Sequence, residues 1–309
     1  MMTSLLVLDP RADEIKGALR DAASDIEVVT SDGSVAQAAQ YDVWVGEPKQ
    51  VVGLLAQGVH PQWLQSTWAG FKPYLAEGLP RGYRLSRAVG VFGQPIAEYV
   101  LAYLLRHELH LEERRENQRQ CIWQPRLPGS LAGRQALIVG AGDIGGEVAA
   151  FLQPFGVELS GIVNTPRSLP HFKRVAGLDD LAREVAGADY VINLLPDTAR
   201  TTDIYHAELF AAMKSSALFI NVGRGTAVVE EDLLAALDQG QIAGAVLDVY
   251  RQEPLPERHP FWRTPNLTLS PHVAGPMVTA LLARLLVDNL SRFRAGEPLR
   301  GEVAFTQEY

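Results

Sequence analysis

This 309-residue chain is poor in cysteine and in excess positive charge, and it has no long apolar run. Its one cysteine, Cys121, cannot form an intrachain disulfide, which suits a reducing compartment or a single buried thiol. The net charge of −8 disfavours nucleic acid or an anionic membrane as the main partner, while a local positive pocket for a small anion stays compatible with it. No apolar stretch reaches the length that spans a bilayer. We therefore expect a cytoplasmic protein with no nucleic-acid or membrane partner.

The chain length and the N-terminal sequence give further constraints on the architecture. A prior of roughly 150 residues per domain suggests two domains, and 47% apolar residues suffice for two cores. The opening MMTSLLVLDPRADEI turns quickly from apolar to charged and has no basic segment. It predicts a first strand and not a signal peptide.

Short apolar runs alternate with helical patterns along most of the chain, which indicates α/β structure with parallel sheets. Apolar residues at three- and four-residue spacings predict helices over 11–22, 94–120 and 277–295, and the stretch 64–71 is less regular. Strands are predicted at 3–9, 26–30, 41–46, 135–140, 157–163, 189–195, 218–222, 243–249 and 266–270.

These strands are nearly continuous in apolar residues, as in parallel sheets covered by helices on both faces. The predicted fold is two Rossmann-like or flavodoxin-like domains with a cleft between them. We place a substrate domain at 1–98 plus 276–309 and a dinucleotide-binding domain at 99–275.

A glycine pattern follows the strand at 135–140. VGAGDIGGEVA contains Gly140, Gly142 and Gly145 in G-x-G-x-x-G spacing, between a strand and a helix. Gly140 would allow a tight turn, Gly142 would let the backbone approach a pyrophosphate, and Gly145 would let the helix pack closely. The intervening Asp143 and Ile144 open the helix, whose N-terminal amides favour an anion. We therefore predict a dinucleotide site here, and no metal site.

The end of the next strand bears on which dinucleotide binds. Forms that bind NAD usually carry Asp or Glu there, about twenty residues after the glycines, for the ribose hydroxyls. This chain has Asn164, Thr165 and, two residues further on, Arg167. An uncharged Asn164 removes the repulsion of a 2′-phosphate, Thr165 can donate a hydrogen bond, and Arg167 can pair with the phosphate. The prediction is NADP(H) in preference to NAD(H), with Lys173 and Arg174 as nearby alternatives.

Three polar side chains follow three successive strands of the second half. Arg224 follows LFINV, Glu253 follows AGAVLDVYRQ, and His272 follows NLTLSP. Ligands of open parallel sheets bind beyond the carboxyl ends of the strands, so the three side chains could converge on one site. Taken singly, each is as readily a surface, turn or loop residue.

With these motifs in view, the sequence resembles the D-isomer-specific 2-hydroxyacid dehydrogenases, most strongly over 136–275. The resemblance is carried by GAGDIG, NLLPDT, NVGRG, DLLAALDQGQIAGAVLDVY, QEPLP and SPHVAG. Within the family, LLPDT, QEPLPERHPFW and the closing GEVAFTQEY are most similar to bacterial glyoxylate/hydroxypyruvate reductases of the A type. The resemblance implies reduction of a small 2-keto acid to a 2-hydroxy acid, such as glyoxylate to glycolate or hydroxypyruvate to D-glycerate.

The chemistry of that reaction explains the three residues. Arg224 can fork onto the carboxylate of a 2-keto acid and polarise its carbonyl. His272 is suited to give a proton to the developing alkoxide near neutral pH, and Glu253 would hold the other ring nitrogen and favour the imidazolium. We expect Gly223 and Gly225, which flank Arg224, to leave room for substrate and nicotinamide. The other histidines have no comparable context.

By resemblance, further residues belong to the site. Asp248 would receive the nicotinamide carboxamide, although a structural cap is the alternative, and Leu195, Pro196, Thr202 and Val222 would border the cofactor. Backbone amides of the first-domain loop would bind the substrate carboxylate. That loop reads Trp68, Ala69, Gly70 and Phe71, and it departs from the family's usual Gly-Val-Asp after the alanine. Trp44 and Trp68 would narrow the substrate pocket or would simply be core aromatics.

Two further expectations and two rivals complete this interpretation. The resemblance implies a homodimer formed through the 95–120 segment, and the two lobes should close over bound ligand. The nearest rival is another member of the family, of the D-lactate or phosphoglycerate type. A rival from another class is a non-catalytic, dinucleotide-sensing binding protein.

Overall fold

A computed structural model describes residues 3–23 and 25–306, so the end of the GEVAFTQEY motif, residues 307–309, lies outside the described residues. The chain divides into two compact units. The first is Met1–Phe92 with Met277–Tyr309, and the second is Gly93–Pro276. The first boundary precedes the predicted residue 98 because a helix that begins at Gly93 belongs entirely to the second unit.

The strands, numbered in chain order, are β1 Thr3–Leu8, β2 Ile26–Thr30, β3 Val43–Gly46, β4 Trp63–Ser66, β5 Arg84–Ser86, β6 Gln135–Val139, β7 Glu158–Val163, β8 Arg174–Gly177, β9 Tyr190–Asn193, β10 Leu218–Asn221, β11 Gly244–Leu247, β12 Leu267–Leu269 and β13 Glu302–Val303.

The α-helices are α1 Ala12–Ala22, α2 Val35–Ala38, α3 Pro48–Leu55, α4 Gly93–Glu108, α5 Leu111–Arg119, α6 Asp143–Leu152, α7 Leu181–Val185, α8 Ala207–Ala212, α9 Glu230–Asp238 and α10 Thr279–Ala295. None of the helices in the described part of the chain has the length and apolar character that crossing a bilayer requires.

The first unit is built on a six-stranded sheet in the order β13-β5-β4-β3-β1-β2, parallel except for β13. Its parallel part has the 2-1-3-4-5 order of flavodoxin-like folds. Alternate residues of β1 point to opposite faces, so Leu5 packs with Ile15 of α1 and Leu286 of α10, while Leu6 packs on the other face with Leu54 of α3. Both faces of the sheet are therefore covered.

The second unit contains a seven-stranded sheet in the order β12-β11-β10-β9-β6-β7-β8, and every pair is parallel. Counted from β6, this is the 3-2-1-4-5-6 order of dinucleotide-binding folds with one further strand. The order reverses between β6 and β9, which places a crevice beyond the carboxyl ends of those strands. The predicted α/β class with two such sheets is thus confirmed.

Two local predictions are wrong. The helix predicted over 94–120 is two helices, because His110 adopts a left-handed backbone with φ 50° between α4 and α5. We expected Cys121 to be a buried thiol, and its side chain is exposed. Strands β4, β5, β8 and β13 were not predicted: β4 overlaps the less regular stretch 64–71, and β5, β8 and β13 are not marked by a continuous apolar run.

Candidate active site

The glycine loop between β6 and α6 has the close packing that its sequence predicts. Gly140 has φ 99°, and a Cβ there would lie 2.8 Å from the Leu194 carbonyl carbon. A Cβ on Gly145 would overlap the Gly140 oxygen, so this glycine lets α6 pack against the β6 turn. A Cβ on Gly142 would meet no atom within 4 Å. The exposed Gly142 and the first-turn amides of Asp143 and Ile144 therefore fit the approach of a pyrophosphate.

Two buried asparagines fix the neighbouring loops. Asn193 ends β9 and Asn221 ends β10, and both are fully buried. The Asn193 amide donates to Asn221 Oδ1 at 2.9 Å, and Asn221 Nδ2 donates to the Arg224 carbonyl at 3.0 Å. Asn193 Oδ1 in turn accepts from the Leu195 amide at 3.2 Å. The loops after β9 and β10 are thereby set by side chains whose polar atoms are satisfied.

Arg224 extends from the loop after β10 and is half-buried. Its Nη1 donates to the Gly223 carbonyl at 2.7 Å. The expectation that the flanking glycines leave room for ligands is wrong. A Cβ on Gly225 would overlap the Tyr250 carbonyl carbon, and one on Gly223 would lie 2.8 Å from the Leu195 oxygen. These glycines are needed because protein backbone, and not a ligand, occupies that space.

His272 and Glu253 meet directly, at the ends of neighbouring strands. His272 Nδ1 lies 2.7 Å from Glu253 Oε2, and Glu253 Oε1 accepts from the Tyr250 amide at 3.0 Å. The His272 side chain is 52% exposed, so it is open to solvent. With Glu253 as acceptor, the ring donates from Nδ1, which leaves Nε2 for exchange of a proton with a bound molecule.

Asp248 lies beneath this pair and is 2% exposed. Its Oδ1 accepts from Ser270 Oγ at 2.6 Å and from the Val273 amide at 2.8 Å, and Oδ2 accepts from the Ala274 amide at 2.9 Å. The carboxylate thus braces the loop that carries His272, which is the capping alternative considered above. A contact of Asp248 with a nicotinamide carboxamide stays a prediction.

The residues predicted to border the cofactor lie along the same edge of the sheet. Leu195 and Val222 are buried next to the glycine loop and Arg224, and Pro196 is half-buried. Thr202 is exposed, and its hydroxyl donates to the Thr198 carbonyl at 2.9 Å within its own turn. Their roles toward a cofactor stay predictions.

The end of β7 holds an arginine that sequence reasoning missed. Asn164, Thr165 and Arg167 are exposed there. Arg200, from the loop after β9, donates from Nη1 to Asn164 Oδ1 at 2.7 Å and pairs with Asp179 at 3.2 Å.

The alternatives to Arg167 are engaged elsewhere. Lys173 pairs with Glu158 at 2.7 Å, and Arg174 pairs with the buried Glu184. Arg167 itself makes no hydrogen bond or ion pair with any described residue. Arg167 and Arg200 are therefore the cations best placed to meet an anion beside Asn164.

In the first unit, some of the residues predicted to line the substrate pocket lie in the core instead. Trp44 is fully buried, and its indole N–H donates to the Ala38 and Tyr41 carbonyls. It is a core aromatic, so its assignment to the substrate pocket is wrong. Trp68 is 45% exposed, while Phe71 is buried in the core.

The backbone amides of this loop also differ in whether they donate a hydrogen bond within the protein. The Trp68 amide donates to Ser66 Oγ at 3.1 Å. The amides of Ala69 and Gly70 donate to no residue in the described part of the chain. Binding of a substrate carboxylate by the amides of this loop stays a prediction.

Two residues that the sequence analysis did not predict, Asn193 and Asn221, could have been found from the sequence. Asn193 and Asn221 interrupt otherwise apolar strands, and a polar side chain at such a position demands a buried partner. The contact of Arg200 with Asn164 could not have been found in this way, because 36 residues separate the two. Within residues 3–23 and 25–306, no cluster of histidine, cysteine and carboxylate side chains is arranged to hold a metal ion.

Comparison with known proteins agrees with this geometry. Residues 101–274 match the family described as D-isomer specific 2-hydroxyacid dehydrogenase, NAD binding domain. The chain is 37% identical to the glyoxylate/hydroxypyruvate reductase A of Serratia proteamaculans over 226 residues, 73% of this chain and 72% of the relative.

Two solved structures align along nearly the whole chain. A D-isomer specific 2-hydroxyacid dehydrogenase family protein from Aeromonas salmonicida superposes with a TM-score of 0.89 at 34% identity, covering 99% of this chain and 100% of its own. The NADPH-dependent glyoxylate/hydroxypyruvate reductase of Sinorhizobium meliloti, in complex with NADP and sulfate, gives 0.85 at 26% identity, with 99% and 100% covered. The chain belongs to the D-isomer-specific 2-hydroxyacid dehydrogenases and is an oxidoreductase.

Proposed function

We propose that this chain reduces glyoxylate or hydroxypyruvate with NADPH, and that His272 supplies the proton. The observation that carries the proposal is the 2.7 Å contact between His272 Nδ1 and Glu253 Oε2, in a half-exposed pair at the carboxyl ends of β11 and β12. Relatives named glyoxylate/hydroxypyruvate reductase support the choice of substrate.

Each of the three residues has a distinct task in this proposal. Arg224 pairs through its planar guanidinium with the substrate carboxylate and draws electron density from the adjacent carbonyl. Reduced nicotinamide, when bound, supplies a hydride to the carbonyl carbon. His272 gives its Nε2 proton to the carbonyl oxygen, and Glu253 stabilises the imidazolium before that transfer. The carbonyl thus gains one hydride and one proton and becomes a hydroxyl.

The end of β7 supports NADPH as the preferred cofactor. No carboxylate of β7 stands at its carboxyl end to repel a 2′-phosphate, and Arg200 already contacts Asn164 there at 2.7 Å. Arg167 is exposed two residues beyond Thr165. We propose that Arg167 and Arg200 together pair with the phosphate, because guanidinium groups bind phosphate through charge-assisted hydrogen bonds. The Sinorhizobium relative, solved in complex with NADP, supports NADP as a cofactor of this chain.

An exposed apolar segment after α5 supports a homodimer. Trp123 is 94% exposed, Leu127 is 83% exposed, and Ile122 is 49% exposed. Such an exposed patch marks a surface that a partner covers. We propose that a second copy covers it and that the protein acts in the cytoplasm. Light scattering on a size-exclusion column should give twice the chain mass for wild type and a smaller mass for Trp123→Ser.

An assay with paired substrates and cofactors tests the enzyme proposal. Purified protein is given glyoxylate, hydroxypyruvate, pyruvate or phosphohydroxypyruvate, with NADPH or NADH, and loss of absorbance of the reduced cofactor is followed. The highest kcat/KM should be for NADPH with glyoxylate or hydroxypyruvate. A preference for pyruvate or the phosphorylated acid would assign a different member of the family. Binding of NADPH without turnover of any keto acid would support a dinucleotide sensor instead.

A further inference from the structure

The loop that carries His272 is held in an uncommon conformation. His272 has φ 55°, in the left-handed region that side chains other than glycine rarely adopt. Its amide donates to the Asp248 carbonyl at 2.8 Å, and the Asp248 carboxylate accepts from the amides of Val273 and Ala274. Such a conformation persists only where surrounding contacts determine it strongly. The bonds to Asp248 are those contacts.

A chain of hydroxyl groups leads from this loop to helix α4. Ser270 Oγ donates to Asp248 Oδ1 at 2.6 Å. Tyr99, on α4, lies with its hydroxyl oxygen 2.6 Å from Ser270 Oγ. A serine hydroxyl has one proton, and Ser270 uses it toward Asp248, so Tyr99 must donate to Ser270. Burial raises the pKa of Tyr99 well above its usual range, which keeps that hydroxyl protonated as a donor.

A second tyrosine joins the two halves of the proton-donor pair. The Tyr250 hydroxyl lies 2.9 Å from the carbonyl oxygens of both Ser270 and Leu247, which share its one proton, and its backbone amide donates to Glu253 Oε1 at 3.0 Å. The same residue therefore contacts the loop of His272 and the carboxylate of Glu253.

We propose that Tyr99 and Ser270 are positioning residues for His272: through Asp248 they hold its loop so that Nδ1 stays on Glu253 and Nε2 stays free for proton transfer. The inference rests on the proposed function, in which His272 is the proton donor. Neither hydroxyl takes part in the chemistry. Their effect comes through geometry, because a misplacement of about 1 Å at a reacting group costs about a hundredfold in rate.

Four variants separate positioning from simple loss of stability. Ser270→Ala and Tyr99→Phe each remove one hydroxyl of the chain, and Ser270→Thr keeps the hydroxyl. The control is Tyr190→Phe, because Tyr190 also donates a buried hydrogen bond to a residue of α4, Glu108, at 2.6 Å. That bond lies nine residues along α4 from Tyr99 and touches no residue of the loop.

In steady-state kinetics, Ser270→Ala should lower kcat for glyoxylate by about ten- to a hundredfold, and Tyr99→Phe by about three- to tenfold. KM should change little in either variant, and the alkaline limit of reduction should move to lower pH because Glu253 supports the imidazolium less well. Ser270→Thr should restore most of kcat. Tyr190→Phe should lower the unfolding temperature and leave the pH profile unchanged.

A spectroscopic measurement makes the outcome independent of turnover. In protein with ¹⁵N-labelled histidine, the ring signals of His272 are assigned by their loss in His272→Ala. At high pH the neutral ring of wild type should carry its proton on Nδ1, and Ser270→Ala should show a mixture of the two tautomers.

The same Nδ1 tautomer in Ser270→Ala, with an unchanged pH profile, would overturn the inference even if that variant unfolds at a lower temperature. If wild type reduces no keto acid, the proposed function fails, and the tautomer of Ser270→Ala still decides whether the hydroxyl chain positions the ring.

Discussion

The two units place buried polar residues at the same end of their parallel sheets and use them differently. In the first unit, Asp9 follows β1 and accepts from the Arg11 amide at 2.9 Å and from Thr67 Oγ1 at 2.7 Å. Tyr74 donates to the Gly46 carbonyl at 3.1 Å. These groups are buried and are satisfied by their own unit. They tie loops to strands.

The second unit has the same kind of buried layer and, in addition, exposed polar side chains beyond the strand ends. Asn193, Asn221 and Asp248 are buried and satisfied, as Asp9 is in the first unit. Glu253 and His272 follow the carboxyl ends of β11 and β12 and keep 36% and 52% of their side-chain surface exposed. Both sheets thus have a buried polar layer, and the proposed chemistry lies in the exposed layer of the second sheet.

The largest effect should follow removal of the proton donor from the exposed layer. His272→Ala should lower kcat for glyoxylate by about 10²–10⁴-fold, the usual loss for a general acid, with no loss of unfolding temperature. The matched control is His171→Ala. His171 also has a left-handed backbone, with φ 71°, and its Nδ1 lies 2.6 Å from Gln153 Oε1, but no carboxylate among residues 3–23 and 25–306 pairs with it. Equal losses of kcat in the two variants would remove the distinction that we draw for His272.

Substitution of Arg224 should have the next largest effect. Arg224→Lys keeps the charge and loses the planar fork, so kcat/KM for glyoxylate should fall by about ten- to a hundredfold. The dissociation constant for NADPH should stay within about twofold of wild type, because the proposal places Arg224 on the substrate. Unchanged kcat/KM, or an equal loss of cofactor affinity, would contradict that placement.

Substitutions in the buried layer should change the free energy of unfolding. Asp9→Asn weakens two hydrogen bonds of a side chain that is 4% exposed, so it should cost about 1–3 kcal/mol and lower the unfolding temperature. Asp21→Asn, an exposed change at the end of α1, should stay within about 0.5 kcal/mol of wild type. Equal stability of both variants would show that the buried layer of the first unit is not a structural one.

The smallest of these effects should be on the ratio of NADPH to NADH affinity. Arg200→Ala should narrow the ratio of NADPH to NADH affinity by about tenfold, measured by titration calorimetry. Asn164→Asp should narrow or invert the ratio, and Asp179→Asn should widen it, because Asp179 pairs with Arg200 at 3.2 Å and adds negative charge there. Arg20→Ala, which loses the same charge from the exposed end of α1, should leave it unchanged. A ratio that none of these variants moves would show that the end of β7 does not recognise the phosphate.

The sequence predicted the second sheet and its site better than the first. Apolar runs that lead into GAGDIG, NVGRG and SPHVAG located the glycine loop, Arg224 and His272, because each feature is written in contiguous residues. The strands β4, β5 and β13 and the break at His110 depend on tertiary contacts that outweigh local pattern. The packing of Gly225 against Tyr250 and the contact of Arg200 with Asn164 join residues 25 and 36 positions apart, which no local pattern records.

The pairing of His272 with Glu253 is the central claim, and the pH dependence of glyoxylate reduction tests it most directly. The measurement is kcat/KM against pH for wild type and Glu253→Gln, with NADPH saturating. The amide introduced by Glu253→Gln can still accept from Nδ1 but brings no charge, so the imidazolium is less favoured. The rate should therefore fall off at a lower pH in the variant than in wild type. Superimposable profiles would contradict the account, because Glu253 would then have no part in holding the proton that His272 gives.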